Sequence, residues 1–261
     1  MELKVIAHIQ SDFKEKFGIP RQSGISDTLI SRIVFTKEYR NDESLRGLDG
    51  YSHIWVIWQF SESVRDSWSP TVRPPRLGGN KRMGVFATRS PFRPNPLGLS
   101  SLKLVGIEDT REDGKVLLVA GADMLDGTPI YDIKPYLAFT DSHPEASGGF
   151  ADGVRDYSLS VSINDEQLSH FDEGRREALI KILENDPRPS YQDDENREYI
   201  MNFANKDIHF KVSCGVLTVI CVDDLKQKKQ RMRQRLLSFE QKFSFSNRQA
   251  YFHTSEGENK K

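Results

Sequence analysis

The first half of the chain is a succession of short segments rich in β-branched residues, with no helix of convincing length between them. Each segment is bounded by Gly, Pro, Asn or Asp, which end strands and form turns. Because no helices intervene, a parallel doubly wound sheet is disfavoured. Many short strands separated by turns instead predict a closed or nearly closed β-barrel. The predicted strands are Glu2–Ile9, Thr28–Thr36, Ser52–Phe60, Arg82–Thr88, Ser101–Glu108 and Lys115–Ala122.

The second half begins after a polar, glycine-rich stretch, Asp141–Gly153, which is the best candidate for a domain boundary. Beyond it, the alternating segment Tyr157–Ile163 predicts a strand. A helix follows, which Asn164 or Asp165 can cap. The apolar residues that recur at helical spacing are Leu168, Phe171, Leu179, Ile182 and Leu183.

Two further strands, DIHFKVS and GVLTVICV, predict a hairpin around Cys214 and Gly215. The predicted fold is therefore mainly β, with an N-terminal β-barrel domain over residues 1–145 and a smaller α+β domain over residues 154–224. Residues 225–261 are predicted to form a basic helix and a polar tail, because six basic residues lie between Lys226 and Arg235 with no acidic residue among them.

The charges are balanced overall but not locally. The chain has 37 basic and 38 acidic residues, so its net charge of −1 does not indicate a nucleic-acid-binding protein. From Ser67 to Ile107, however, no acidic residue occurs. This block is either an anion-binding surface or a solvated face whose acidic partners come from elsewhere in the fold. Its basic residues are Arg73, Arg76, Lys81, Arg82, Arg89, Arg93 and Lys103.

The cysteines and the apolar segments predict a cytoplasmic protein. Cys214 and Cys221 lie in an apolar run without metal-ligand spacing and are predicted to be small buried residues. The N-terminus has no apolar signal core, and no run approaches the length of a membrane span. We therefore expect neither a metal nor a membrane partner.

The familiar nucleotide and catalytic motifs are absent, since neither G-x-G-x-x-G after the first strand nor a P-loop sequence occurs. The chain has instead four loops of unusual composition, three of them rich in proline. Proline restricts φ, so such loops hold their side chains in place with a small entropic loss on binding. Arg89 and Arg93 can present planar donors to a carboxylate or a phosphate. The four loops are Gly18–Gly24, Thr71–Arg82, Thr88–Ser100 and Asp123–Leu137.

These loops carry a resemblance to a known family. The runs PRQSG, TVRPPRLGGNKRMGVFATRSPFRPNPLGLS, DGTPIYDIKPY and DPRPSY resemble the TrmO family, also described as TsaA- or YaeB-like proteins. The resemblance extends from about Val5 to about Val222. It implies a non-Rossmann β-barrel that binds S-adenosylmethionine, and a homodimer with the cofactor near the subunit interface. It further implies methylation of N6-threonylcarbamoyladenosine at position 37 of a threonine tRNA.

The resemblance also implies a set of cofactor contacts. Among them, Phe60 offers an aromatic face to the sulfonium, Arg89 a cation to the carboxylate, and Asp126 an acceptor to the ribose hydroxyls. The full set is Gln22, Ser23, Gly24, Phe60, Ser61, Arg89, Leu99, Asp126, Gly127, Thr128 and Pro129.

Methyl transfer to an acylated amine requires loss of a proton, so a general base is expected. Asp132 and Tyr136 are the candidates, with Lys134 available to lower the pKa of a phenol or to neutralise substrate charge. A structural ion pair between Asp132 and Lys134 is an equally good interpretation.

The acid-free block and part of the second domain are predicted to contact tRNA phosphates, with Tyr191 stacking on a base of the anticodon loop. The role of Lys226–Arg235 is open, because this run lies outside the family pattern. A non-catalytic RNA-binding barrel and a small-molecule methyltransferase are the alternative functions. The predicted tRNA contacts are Arg73, Arg76, Lys81, Arg82, Arg93, Arg188 and Tyr191.

Overall fold

The structure, a computed structural model, describes residues 2–74, 81–154, 157–188 and 194–225. Over these residues the fold is mainly β, as predicted, with few and short helices. One compact unit spans Met1–Val222, and a second spans Asp223–Lys261, of which residues 223–225 are described. No helix in the described ranges is both long and apolar enough to cross a membrane.

The first sheet contains six strands that pair in the order β1-β2-β7-β6-β3-β8 and close into a barrel. Every pairing in it is antiparallel. A separate two-stranded sheet pairs β4 with β5. The strands of these two sheets are β1 (Ala7–Gln10), β2 (Ile30–Phe35), β3 (His53–Gln59), β4 (Thr71–Val72), β5 (Met83–Gly84), β6 (Leu97–Thr110), β7 (Gly114–Ala120) and β8 (Pro129–Pro135).

Alternation along the strands fills the barrel with apolar side chains. In β3, for example, Ile54, Val56 and Trp58 are buried while the residues between them are half-buried. The neighbouring strands add residues such as Leu102 and Ile130, which are fully buried in the same core. Because the side-chain period of a strand is two, this pattern determines which face of each strand lies inside.

The strand register brings the unusual loops together at one end of the barrel. The last residue of β3 pairs with the first residue of β6 (Gln59 with Leu97), and the first residue of β2 pairs with the last residue of β7 (Ile30 with Ala120). The strand β8 begins at Pro129, beside the end of β1. We call this end of the barrel the loop end. The connections that meet there are residues 11–29, 60–96 and 121–128.

The second sheet has four strands in the order β10-β11-β12-β9, with β9 parallel to β12. Its core contains the buried face of α3, including Leu179 and Leu183. The strands are β9 (Ser160–Ser162), β10 (Tyr199–Phe203), β11 (Lys206–Ser213) and β12 (Val216–Asp224). The α-helices are α1 (Ala138–Asp141), α2 (Asp165–Leu168) and α3 (Glu173–Glu184). The 3₁₀ turns are Lys37–Tyr39, Asp42–Leu45, Leu48–Gly50, Ser61–Ser63, Val85–Ala87 and Gly149–Val154.

The connection between β1 and β2 belongs to the core of the second sheet. Phe13 and Leu29, from the two ends of this connection, are buried in that core, and Phe17 packs against it. The backbone N–H of Ala204 donates to the carbonyl of Asp12 at 3.0 Å. The loop that carries Gln22–Gly24 is therefore anchored at both ends by residues that pack on the second sheet.

Four details differ from the sequence-based predictions. The predicted strand Arg82–Thr88 is only two residues long, Met83–Gly84, and continues as the 3₁₀ turn Val85–Ala87. The strand β8 lies within a segment predicted as a loop, since its prolines occupy its two ends, where a missing N–H is tolerated. The strand β10 was not predicted. The single predicted helix is two helices, because Asp172 begins a new one.

The hairpin between β11 and β12 is confirmed, but the cysteine prediction is wrong. Cys214 and Gly215 form the two-residue turn, with φ of +50° and +77°, which is the backbone that such turns require. Cys214 is therefore exposed at the tip of the hairpin, and Cys221 is half-buried.

Candidate active site

Backbone hydrogen bonds link two of the three connections at the loop end and close the base of the third. The N–H of Gly24 donates to the carbonyl of Gly121 at 2.9 Å, and the N–H of Phe60 donates to the carbonyl of Pro96 at 2.8 Å. Gly121 has a φ of +79°, and a Cβ atom there would lie 2.9 Å from the nitrogen of Gly24. Only glycine permits this backbone approach. The loop end is thus a packed surface rather than a set of independent loops.

Several predicted cofactor residues meet on this surface. The guanidinium of Arg89 donates to Oε1 of Gln22 at 3.2 Å, which joins two segments that are 67 residues apart in sequence. The ring of Phe60 lies 4.3 Å from that of Trp58, between centroids, at the rim of the barrel core. Leu99 is 60% exposed although it belongs to a strand. An exposed apolar side chain beside polar donors is typical of a ligand site.

The segment Asp126–Pro129 is held against β1. The Asp126 carboxylate accepts from the N–H of Ser11 at 2.9 Å and pairs with Lys14 at 2.7 Å. The backbone N–H of Gly127 donates to the carbonyl of Ile9 at 2.8 Å. Asp126 therefore has protein partners on both carboxylate oxygens, and its predicted contact with a ribose stays a prediction.

An acidic residue that sequence reasoning missed lies beneath this surface. The indole N–H of Trp58 donates to Oγ of Ser100 at 2.9 Å, and the Ser100 hydroxyl donates to Oδ1 of Asp123 at 2.6 Å. Burial raises the pKa of the Asp123 carboxyl, opposed by these hydrogen bonds and by the charge of Arg89. The sequence does place Asp123 directly after β7, at the start of a loop already identified as unusual, but its burial could not be foreseen.

The predicted catalytic residues lie along β8, away from the loop end. Lys134 and Asp132 form an ion pair at 2.8 Å, and the Asp132 hydrogen bond raises the pKa of Lys134. The ring of Tyr136 lies 5.4 Å from that of Trp55, between centroids. With a strand rise of about 3.3 Å per residue, Tyr136 is roughly 23 Å along the chain from Pro129. The loop end therefore does not include Tyr136.

The predicted tRNA contacts are found in different settings. Three of them, Arg73, Lys81 and Arg82, are exposed. Arg93 is half-buried, and its guanidinium donates to the carbonyl of Thr88 at 3.2 Å, within its own loop. Other predicted residues, Arg76, Tyr191 and the basic run Lys226–Arg235, lie outside the described residues.

Arg188 does not face solvent, contrary to the prediction. It is only 7% exposed, and its guanidinium donates to the Asp186 carboxylate at 2.9 and 3.0 Å. The Arg21 guanidinium donates to the backbone carbonyls of Asp186 and Arg188, at 3.3 and 2.5 Å. Arg21 directly precedes Gln22. The segment Asp186–Arg188 therefore contacts the loop that carries Gln22–Gly24, and the Arg188 guanidinium is paired with Asp186 rather than exposed.

Comparison with known proteins shows the family of this chain. The family profile of the tRNA-methyltransferase O N-terminal domain matches residues 8–142, and that of the TrmO C-terminal domain matches residues 157–225. The tRNA (adenine(37)-N6)-methyltransferase of Escherichia coli (strain K12) is 42% identical over 165 residues, which cover 63% of this chain and 70% of that protein. The protein of the same name from Eikenella corrodens is 59% identical over 116 residues, which cover 44% of this chain and 64% of that protein.

Solved structures give the same result. The crystal structure of TrmO from Pseudomonas aeruginosa matches with a TM-score of 0.66 and 29% identity, and the match covers 85% of this chain and 98% of that one. The family profiles match both halves of the sequence, and the solved fold follows the chain through both sheets. This chain therefore belongs to the tRNA-methyltransferase O family.

Proposed function

We propose that this protein is an S-adenosylmethionine-dependent tRNA methyltransferase that methylates N6 of the adenine at position 37. Within that activity, we infer that the substrate is N6-threonylcarbamoyladenosine in a threonine tRNA, as the family resemblance implies. A substrate of this kind is consistent with a cytoplasmic enzyme. The observation that carries the proposal is the convergence of Gln22–Gly24, Phe60, Arg89 and Leu99 on one end of the barrel, in a chain of this family.

The residues at the loop end fit the proposed cofactor chemically. Gly24 and Gly127 have φ of +81° and +77°, and no heavy atom lies within 4 Å of where a Cβ would be. The space beside these two α-carbons is therefore open to a ligand, although their backbone N–H groups already donate to Gly121 and Ile9. Arg89 supplies a cation for a carboxylate, and Phe60 supplies an aromatic face for a sulfonium. When bound, S-adenosylmethionine supplies an electrophilic methyl group.

The contribution of the chain to such a reaction is positioning. The in-line displacement of a methyl group depends on collinear alignment, which can lower the barrier by several kcal/mol, with ~7–11 kcal/mol as an upper range. The stiff loop Thr88–Ser100 and the backbone contact between Gly24 and Gly121 hold the site residues with little freedom to lose. A base must also accept the proton of the acylated amine.

We infer that Asp132, Lys134 and Tyr136 act on the cofactor site of a second protomer in a homodimer. Within one protomer, β8 carries Lys134 and Tyr136 away from Gly127 and Pro129, so we propose that the three residues reach a cofactor site across a subunit interface. Asp132 and Lys134 are partly exposed on the outer face of β3 and β8, which leaves them accessible to a partner. Arg73, Lys81 and Arg82 are the proposed phosphate contacts.

The activity is tested with tRNA that carries threonylcarbamoyladenosine at position 37 but lacks the methyl group. This tRNA is incubated with the protein and S-adenosylmethionine, and its nucleosides are analysed by mass spectrometry. We expect a gain of one methyl group on threonylcarbamoyladenosine, and its loss in the Arg89→Ala variant. A tRNA that lacks the threonylcarbamoyl group separates the finer substrate proposal from the coarser one. Absence of any methylated adenosine at position 37 would reject the function.

The shared site is tested by mixing two inactive variants, Arg89→Ala and Asp132→Asn, after unfolding and refolding together. If each site uses residues of both protomers, mixed dimers contain one intact site, and activity returns to about a quarter of the wild-type level. Two wild-type preparations treated in the same way serve as the control. No recovery beyond the separate variants would mean that Asp132 acts within its own protomer or not at all.

A further inference from the structure

The Asp123 carboxylate lies where all three segments of the loop end meet. Oδ1 accepts from the hydroxyl of Ser100, which directly follows the predicted cofactor contact Leu99. The charge of Arg89 and the backbone N–H of Ser23 both act to lower the pKa of this carboxyl, against the effect of burial. Asp123 thus interacts with Ser23 and Arg89, one residue from each of the other two connections. Both are predicted cofactor contacts.

This carboxylate is largely removed from water without an ion-pair partner. Ser100 and Trp58, which lie behind it, are only 1% and 5% exposed. Within residues 2–74, 81–154, 157–188 and 194–225, no Lys, Arg or His nitrogen lies within 4.0 Å of the Asp123 carboxylate oxygens. The guanidinium of Arg89 donates to Gln22. A buried carboxylate is normally paired with a cation, because hydrogen bonds alone compensate its desolvation incompletely. The raised pKa of Asp123 agrees with this incomplete compensation.

The side chain is nevertheless not sealed off. Asp123 is half-buried, while the residues on either side of it, Ala122 and Met124, are 4% and 0% exposed. Asp123 therefore keeps part of its surface at the loop end, among the segments that carry Ser23, Arg89 and Leu99. A cation that binds at this surface would meet a carboxylate whose desolvation has already occurred during folding. Such preorganised charge favours binding.

Resting on the proposed function, we infer that Asp123 is the anionic contact for the positively charged methionine portion of S-adenosylmethionine. That portion carries two cationic groups, an α-ammonium and a sulfonium, and one carboxylate. With Arg89 as partner of the carboxylate, the site offers charges of both signs to a zwitterionic group. Asp126, the acidic residue among the predicted cofactor contacts, is already paired with Lys14 and accepts from Ser11.

The test compares three ligands by isothermal titration calorimetry with the wild-type protein and with Asp123→Asn. Asparagine has the same shape and can still accept from Ser100 and Ser23, so the variant removes the charge alone. S-adenosylhomocysteine keeps the ammonium but has no sulfonium, and 5′-methylthioadenosine has neither. We expect S-adenosylmethionine to bind the variant about 10- to 100-fold more weakly, as for loss of a hydrogen bond to a charged group.

The pattern over the three ligands identifies the cation. A loss for S-adenosylmethionine alone supports contact with the sulfonium, and a loss for both it and S-adenosylhomocysteine, but not for 5′-methylthioadenosine, supports contact with the ammonium. An unchanged affinity for S-adenosylmethionine overturns the inference, and so does an equal loss for all three ligands. If the wild-type protein binds none of the three ligands, both the proposed function and this inference are wrong. An unchanged affinity for S-adenosylmethionine, or an equal loss for all three ligands, contradicts this inference alone.

Ser100→Ala is the matched control, because it removes the hydrogen bond to Asp123 but keeps the charge. We expect it to retain the wild-type preference for S-adenosylmethionine over 5′-methylthioadenosine. Circular dichroism and thermal unfolding establish that each variant is folded. If the asparagine variant does not fold, Asp123→Ser, a smaller neutral residue that can still accept a hydrogen bond, provides the same comparison.

Discussion

Two glycines at the loop end show how single residues determine the shape of the site. Gly121 and Gly24 approach each other backbone to backbone, with a hydrogen bond of 2.9 Å between them. A Cβ at Gly121 would lie 2.9 Å from N and 3.0 Å from Cα of Gly24, and neither atom can move without moving the loop. The φ of +79° at Gly121 also disfavours any other residue. The position of Gln22–Gly24 therefore depends on a missing side chain in another connection.

We predict that Gly121→Ala weakens binding of S-adenosylmethionine by at least tenfold and lowers the free energy of unfolding by roughly 1–3 kcal/mol. The added methyl group displaces Gly24, which is a proposed cofactor contact. Calorimetry and urea denaturation measure the two effects.

Gly114→Ala is the control that separates the steric clash of an added Cβ from the conformational strain of a positive φ. Gly114 has a φ of +64°, is the first residue of β7 directly after the turn from β6, and has no heavy atom within 4 Å of its would-be Cβ. We expect this control to lose stability but to retain cofactor affinity. Equal affinities of the two variants would contradict the proposed role of the Gly24–Gly121 contact.

At the scale of elements, the boundary between α2 and α3 is decided by caps. Asn164 caps α2 in a reciprocal arrangement with Gln167, and Asp172 begins α3 by accepting from the N–H of Arg175 at 3.0 Å. That hydrogen bond is the main reason that the pKa of Asp172 is lowered, although partial burial opposes it. A carboxylate at a helix N-terminus also interacts favourably with the helix dipole.

We predict that Asp172→Ala destabilises the protein by about 1 kcal/mol at pH 7. Because the pKa of Asp172 is lower in the folded than in the unfolded state, its charge stabilises the fold above the ordinary carboxyl pKa. This contribution is lost as the pH falls through the lowered folded-state pKa. Urea denaturation of wild type and variant between pH 7 and pH 3 measures the difference, which should shrink at acid pH.

Asp172→Asn is the control for that experiment, since asparagine keeps the cap acceptor but does not titrate. Its difference from Asp172→Ala should be nearly independent of pH. A wild-type advantage over Asp172→Ala that stays constant down to pH 3 would show that the charge of Asp172 contributes nothing to stability.

At the scale of the whole molecule, the β1–β2 connection joins the first cofactor loop to the second sheet. Phe13 is fully buried in the second core, and its ring lies 5.8 Å from that of Phe203, between centroids. Arg175 donates to Asp12 at 2.7 Å, and Arg21 donates to the carbonyls of Asp186 and Arg188. The order of the loop that holds Gln22 therefore depends on the folding of the second sheet.

We predict that Phe13→Ala lowers the free energy of unfolding by about 3–5 kcal/mol, as for other large-to-small changes in a core. Since the connection also carries the cofactor loop, affinity for S-adenosylmethionine should fall in the folded variant as well. Urea denaturation and calorimetry below the unfolding transition measure both quantities.

Phe139→Ala is the matched control, because Phe139 is 88% exposed. We expect it to change stability by less than about 0.5 kcal/mol. A Phe13→Ala protein that is destabilised but binds the cofactor normally would show that the loop is ordered without the second core.

The mainly β fold, most of the strands, the four unusual loops and the family are predictable from the amino-acid sequence. Strand alternation and proline-rich turns are local properties, and the motifs are long enough to be specific, so both are visible in a single sequence. The strand β8 escaped prediction because its polar and proline residues are typical of loops, and only its hydrogen bonds to β1 and β3 make it a strand.

Which groups are buried, and which connections meet, becomes visible in the folded chain alone. The sequence predicts Arg188 to be a surface cation, but in the fold it is buried against Asp186. Asp123 is an ordinary loop residue in the sequence, but in the fold its carboxylate interacts with residues of three segments. The physical reason is that burial and strand register depend on contacts between residues far apart in the chain. A pattern of neighbours along one sequence does not contain those contacts.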